Sequence, residues 1–305
     1  MPDTQSTTPP FFPSFRRLDV DAAGVHFAGV IGGDGPPLLL LHGYPETHIT
    51  WRRIAPELAK NYTLVIPDLP GYGASRPRDM SPRWTKRRVG DALAILMSEL
   101  GYDKFAIVGH DRGARAGYRL ALDHPERISA FASLTVVPTA DAMAAMNYRS
   151  AAHAFHWFFF AQEADLPERL LAADPDAVID RALNKMTGGR DVIEPAALEA
   201  YRTAFRNPSV RHAICEDYRA ALNEDLALDN GDLAAGNKMS CPVLVLWPQV
   251  DGVPSQQTPI ETWRRWASDV TGNSTSGGHL QPEDAPEEVL QSLQPFLEKH
   301  WPSAG

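Results

Sequence analysis

One short stretch constrains this chain more than any other: Ile107-Val108-Gly109-His110-Asp111-Arg112-Gly113-Ala114-Arg115. The apolar run from Phe105 to Val108 reads as a buried strand. The residues from Ala114 to Ala121 read as a helix that ends before His124-Pro125. Between them, Gly109 and Gly113 flank Asp111. A strand that becomes a helix within so few residues leaves little room around its central side chain, so its neighbours must be small and the central group is thrust outward. This is the layout of a nucleophile elbow, and the nucleophile it presents would be a carboxylate. The competing reading is an aspartate that simply caps the following helix.

The rest of the chain supplies a setting for such an elbow. Phe15 to Val20 and Val25 to Ile31 alternate as two entry strands, and Gly32-Gly33-Asp34-Gly35-Pro36-Pro37 forces a turn. Leu38 to Leu41 is a continuous apolar run, as expected of a strand buried on both faces, and it stops at His42-Gly43-Tyr44-Pro45. Thr50 to Leu58 reads as a helix, Tyr62 to Pro67 as a strand, Lys86 to Leu100 as a helix and Ile128 to Val137 as a strand. Strands that alternate with helices predict a mainly parallel sheet covered on both faces. The alternation then breaks. Residues 139–235 are helix-like throughout and contain the aromatic run His156-Trp157-Phe158-Phe159-Phe160, and the strand signal returns only at Val243 to Trp247. The expected organisation is a core made of 1–138 and 236–305, with a helical cap, 139–235, folded over the sheet's carboxyl edge, where open α/β sheets bind ligands. Trp263 to Ala267 and Glu287 to His300 read as closing helices.

Composition removes several function classes. With 305 residues, 44% hydrophobic and 22% charged, the chain is long enough for one large core with an insertion. A net charge of −9 argues against nucleic acid or an anionic membrane as partner. The two cysteines, Cys215 and Cys241, make no disulfide framework. The polar, proline-containing start lacks the pattern of a signal peptide, and no apolar run is long enough for a membrane span, so a cytoplasmic protein is expected. No metal-binding spacing occurs, and Asp68 to Ser75 lacks the third glycine and following helix of a dinucleotide site, so no cofactor is expected.

A carboxylate nucleophile forms an ester that water must then hydrolyse, so a base is needed. His279, in the small-residue loop Ser276-Gly277-Gly278-His279, lies late in the chain, where a nucleophile-elbow fold places its histidine. Backbone N–H groups of His42-Gly43-Tyr44-Pro45, with that of Arg112, would form an oxyanion hole. His42 and His110 read as packed structural residues.

The stretches His42-Gly43-Tyr44-Pro45, Asp68 to Ser75, Gly109 to Arg115 and Ala121 to Pro125 resemble those of α/β-hydrolases with an aspartate nucleophile. The arginines Arg112 and Arg115, the pair His156-Trp157 and the run Asp217-Tyr218-Arg219 resemble haloacetate (fluoroacetate) dehalogenases in particular. The resemblance implies an α/β-hydrolase fold and hydrolysis of the carbon–halogen bond of short 2-haloacids, fluoroacetate included. Asp111 would displace halide, and Arg112 and Arg115 would hold the substrate carboxylate. His156, Trp157 and Tyr218 would donate hydrogen bonds to the halide, and His279 would activate water. Residue chemistry agrees: a guanidinium fork matches a carboxylate, and a weakly basic halide needs N–H and O–H donors. The substrate partners are thus a haloacid and water, and a homodimer through cap helices is compatible with the family.

Three departures stand out. The family's triad acid follows the sixth strand, yet Thr135-Val136-Val137-Pro138-Thr139 runs through shortened and without it. Asp251, after the next strand, is the expected replacement, with Asp141 a second candidate. The family's mid-cap tryptophan has no counterpart around Leu183 to Gly188, and Tyr44 stands where phenylalanine is usual, at the pocket edge. Two alternatives remain open. One is an epoxide hydrolase using Tyr218, Tyr148 or Tyr201 as acid; the other is a catalytically impaired homologue that binds carboxylates.

Overall fold

The computed structural model describes residues 9–249 and 258–302. Nine strands form one sheet: β1 (Arg16–Ala22), β2 (Val25–Gly32), β3 (Pro37–Leu41), β4 (Thr63–Pro67), β5 (Arg76–Pro77), β6 (Phe105–His110), β7 (Ile128–Leu134), β8 (Val243–Pro248) and β9 (Val270–Thr275). The main order is β1-β2-β4-β3-β6-β7-β8-β9, with β5 paired to β2. The pairs from β4 to β9 are parallel, while β1 and β2 join antiparallel at one edge.

Alternate residues of the leucine run serve opposite layers. Leu39 and Leu41 pack with Val65 and Ile107 towards the helices Lys86–Glu99 and Arg112–Asp123. Leu38 and Leu40 pack with Leu64, Ile66 and Val108 towards Trp51 and the helix Pro286–His300, through Val289 and Leu293. A sheet covered on both faces needs apolar residues at consecutive positions, which is why the run does not alternate. Between β7 and β8 the chain is helical, from Thr139–Ala144 through Leu226–Ala235.

Two expected helices differ. The stretch from Thr50 is a 3-10 turn, His48–Arg53, followed by the short helix Ala55–Leu58, because Pro56 lacks the N–H a continuing helix requires. The late helix is Pro259–Trp263, and Ala267 instead bridges to Met239. Among the described residues, no helix is long and apolar enough to cross a membrane. Cys215 and Cys241 are both buried and unpaired.

Candidate active site

The elbow is built by contacts that exclude side chains. A Cβ on Gly113 would lie 2.2 Å from the Leu41 carbonyl oxygen, and one on Gly109 would lie 2.5 Å from the Ala114 Cα. Asp111 between them takes φ 47° and ψ −112°, a region costly for a residue with a side chain. Asp111 makes no side-chain cap bond to the helix Arg112–Asp123, which removes the capping reading. Instead Tyr44 N–H donates to its Oδ1 at 3.0 Å, and His279 Nε2 stands 3.4 Å from Oδ2. One carboxylate oxygen is therefore held by backbone and the other faces the histidine and the cavity. Among the described residues Tyr44 N–H is the backbone donor to Oδ1, and Arg112 N–H, the expected second oxyanion donor, makes no hydrogen bond to it.

Burial alone would raise the Asp111 pKa. The hydrogen bond and charge of His279, with His110 and Arg112, reverse that and hold the carboxyl well below the usual range. Asp111 is thus ionised, as a nucleophile must be. Gly43 completes the fit, since a Cβ there would meet the Asp111 Cβ at 2.4 Å.

His279 is fixed through its main chain. Its N–H donates to Met186 O at 2.8 Å, and its carbonyl accepts from His110 Nε2 at 2.8 Å. The Thr135 hydroxyl lies 2.9 Å from that same carbonyl and 2.9 Å from Gln281 Oε1. His110 is completely buried, with Nδ1 3.1 Å from Glu46, and His42 is likewise buried between Gly43 O and Leu69 N–H, so both serve the scaffold.

β7 pairs with β6, across a register shift between Phe105 and Ile107, and with β8 up to Leu134, and Thr135, at φ 79°, occupies the first position beyond. Thr135 meets Gln281, and Gln249, held by its N–H to Thr275 O, lines the cavity beside His279. Asp141 is not the missing acid. It accepts from Trp266 Nε1 and pairs with Arg265 instead. Asp251 lies outside the described residues. Among the described residues, Asp111 is the carboxylate within ion-pair distance of His279.

Arg112 and Arg115 sit on the first turns of the elbow helix, both buried. Asp217 grips Arg112 bidentately, Nε to Oδ2 at 2.8 Å and Nη2 to Oδ1 at 2.6 Å, while also accepting from Tyr72 at 2.9 Å and from Lys86. Arg112 Nη1 has no acceptor. Arg115 donates through Nη1 to Thr139 at 2.9 Å, and its Nε has no acceptor. Burial, together with the like charge of Arg112, lowers the Arg115 pKa. Trp157 lies near both guanidinium carbons, at 5.2 and 4.8 Å from its ring centre.

Across from Asp111, His156, Trp157 and Tyr218 form an aromatic cluster. Trp157 and Tyr218 rings are 5.3 Å apart, His156 and Tyr218 5.6 Å, and Tyr44 stacks on His156 at 5.8 Å. Burial drives His156 down to about 4, leaving it neutral near pH 7. Burial and the Asp111 charge push the Tyr218 hydroxyl well above its ordinary value. The other tyrosines considered as acids are elsewhere: Tyr148 is exposed, and Tyr201 donates to Glu283 at 2.6 Å. Among the described residues no cluster of His, Cys, Asp or Glu could hold a metal ion.

A carboxylate on a nucleophile elbow, a late-chain histidine facing it and a helical insertion above a parallel sheet define a hydrolase of one class. The chain belongs to the α/β-hydrolase fold family, whose model matches residues 36–253. It is 37% identical to a fluoroacetate dehalogenase of Burkholderia sp., over 94% of this chain and 95% of that protein. It is 28% identical to a soluble epoxide hydrolase of Corynebacterium sp. strain C12, over 88% and 92%. Among solved structures, a Pseudomonas aeruginosa protein provisionally called an epoxide hydrolase matches with TM-score 0.93 and 49% identity, covering 96% of this chain and 98% of that one. A variant of that protein with one threonine changed to aspartate has been solved with bound MFA.

Proposed function

We propose that the chain hydrolyses the carbon–halogen bond of 2-haloacids, haloacetate being the simplest, through an ester on Asp111. The observation that carries this reading is the pair of buried guanidinium N–H groups without acceptors, Arg112 Nη1 and Arg115 Nε, beside the nucleophile. A buried donor left unpaired costs about 1–3 kcal/mol, and more when charged. A substrate carboxylate would satisfy both and bring its α-carbon to Asp111.

Asp111 Oδ2 attacks that carbon, the C–O bond forms, and halide leaves with the bonding pair. His156, Trp157 and Tyr218, none with a protein hydrogen-bond partner on its polar atom among the described residues, supply donors to the halide. His279 then takes a proton from water, whose oxygen attacks the ester carbonyl at Asp111 Cγ. The tetrahedral oxygen develops where Tyr44 N–H already donates. Collapse frees the 2-hydroxyacid and the Asp111 carboxylate. The relative named a fluoroacetate dehalogenase supports this reading. By its place in the sequence after β8, Asp251 is the acid expected for His279; it lies outside the described residues.

The epoxide hydrolase reading draws on the named relatives and on Tyr218. Opening an epoxide requires a proton donor, and a tyrosine with a raised pKa beside a carboxylate donates a hydrogen bond far better than a proton. Fluoro-, chloro- and bromoacetate assayed for halide, beside terminal epoxides assayed for diol, separate the two. Halide release without diol is expected; diol without halide would overturn the proposal.

A further inference from the structure

A cavity of about 670 Å³ opens over Asp111. Haloacetate has roughly the bulk of two or three waters, each of about 30 Å³, whereas cavities of about 300–1,000 Å³ ordinarily take far larger ligands. Between the buried Asp111 and the exterior, the lining includes Phe155, Phe159, Leu171, Val178, Ala182 and Met186. Such a wall favours an apolar chain over water. Nothing in haloacetate would touch it.

The exposed end of the cavity changes character. Arg181 and Lys185 line it, one turn apart on the helix Pro175–Met186, on the face that also presents Val178, Ala182 and Met186. Among the described residues neither pairs with a carboxylate. Lys185 donates to the main-chain oxygen of His153. Burial and the adjacent Arg181 lower its pKa. Elsewhere in the insertion Arg190, Arg202, Arg206 and Arg219 are each paired to an acid, and the cations that are not, Arg149, Arg169 and Arg211, do not line this cavity. In a chain with 38 acidic residues against 29 basic, two adjacent cations without carboxylates facing a ligand cavity call for an anion inside it.

We propose that the preferred substrates are elongated 2-haloacids, whose apolar chain lies along this cavity and whose far end is a second anion held by Arg181 and Lys185. This rests on the dehalogenase reading and specifies its substrate class. Arg112 and Arg115 take the carboxylate beside the reacting carbon, and the chain leaves that carbon towards the insertion.

The test is kcat/KM for bromide release from 2-bromopropionate, 2-bromohexanoate, 2-bromooctanoate and 2-bromooctanedioate. All offer Asp111 the same secondary carbon, so differences report the chain and its end. Each methylene withdrawn from water contributes about threefold to fourfold, so for the five methylenes added between propionate and octanoate a rise of roughly several hundredfold is expected. The octanedioate should gain roughly a further fivefold at low ionic strength. In the double variant Arg181→Gln, Lys185→Gln, the octanedioate-to-octanoate ratio should fall towards one. Equal use of propionate and octanoate, or a ratio indifferent to the double variant, would overturn the proposal. Calorimetric titration of unreactive acetate, octanoate and octanedioate reads the cavity without chemistry. The same order of affinity with no bromide released from any acid would sustain the cavity assignment and sink the dehalogenase reading. Equal affinities would sink the cavity assignment alone.

Discussion

The two sides of the site obey opposite rules. On the sheet side the groups around the elbow are held in place by the protein: Asp111 Oδ1 by Tyr44 N–H, His279 through both backbone groups and His110 by the His279 carbonyl, while Arg112 Nη1 and Arg115 Nε are left open beside them. On the insertion side most polar groups in and around the cavity are unclaimed, Lys185 being the exception through the His153 carbonyl. His156, Trp157 and Tyr218 make only ring contacts, and Arg181 has no ion pair among the described residues. Paired groups fix geometry, and unpaired ones wait for a ligand. Chemistry should therefore depend sharply on the sheet side, and selectivity on the insertion.

The strongest way to break this contrast is Asp111→Asn, which should lower halide release at least about 10⁴-fold with the fold intact by circular dichroism. Retained activity would remove the nucleophile from the account. Next, His279→Gln should release about one equivalent of halide and then stop, with an acid adduct on the peptide holding Asp111, detectable by mass. Gly43→Ala probes packing without touching a reacting atom. Because the added Cβ would meet Asp111 at 2.4 Å, kcat should fall on the order of 10²-fold while thermal stability changes much less. Tyr218→Phe should cost about tenfold to a hundredfold, and more for fluoride than for bromide, since fluoride leans harder on its donors.

The smallest effect is one of pH. His156 titrates at about 4 in the folded protein against an ordinary 6.5. Between those values the unfolded chain binds a proton that folded His156 does not. Its contribution to stability is therefore complete above about pH 6.5 and is lost as pH falls towards 4. The melting temperature of wild type should drop more steeply across that window than that of His156→Gln. Parallel profiles would place His156 in water.

Much of the sheet side was legible in the sequence because its constraints are local. Gly109-His110-Asp111-Arg112-Gly113 announces the elbow through sterics alone, and the leucine run announces a strand covered on both faces. Other features were not legible. β9, Val-Thr-Gly-Asn-Ser-Thr, alternates between half-buried and exposed positions and pairs only with β8 at the sheet's edge, so its residues look like a loop. The partner of Arg112 is 105 residues away, which no spacing rule reaches. The place of Thr135 against the His279 carbonyl depends on a loop that returns late in the chain, and its positive φ gives no sign in a β-branched residue. The cavity is likewise a product of how the helices between β7 and β8 lie over the elbow. The aromatic run showed where its wall begins but not its volume.

Thr135→Asp sharpens the division of labour further. Aspartate tolerates a positive φ better than threonine, so the change should be accepted. With Asp251 serving His279 the steady rate should stay within about twofold, whereas a marked rise would mean that His279 lacks a supporting acid and would remove Asp251 from that role.

The central claim is an ester on Asp111, and a single turnover in oxygen-18 water with enzyme in excess of bromoacetate tests it most directly. Water attacks Asp111 Cγ in this account, so the first glycolate should carry unlabelled oxygen and the label should appear in the peptide holding Asp111. Labelled glycolate from that first turnover, with Asp111 unlabelled, would mean that water attacks the substrate carbon itself and would contradict it.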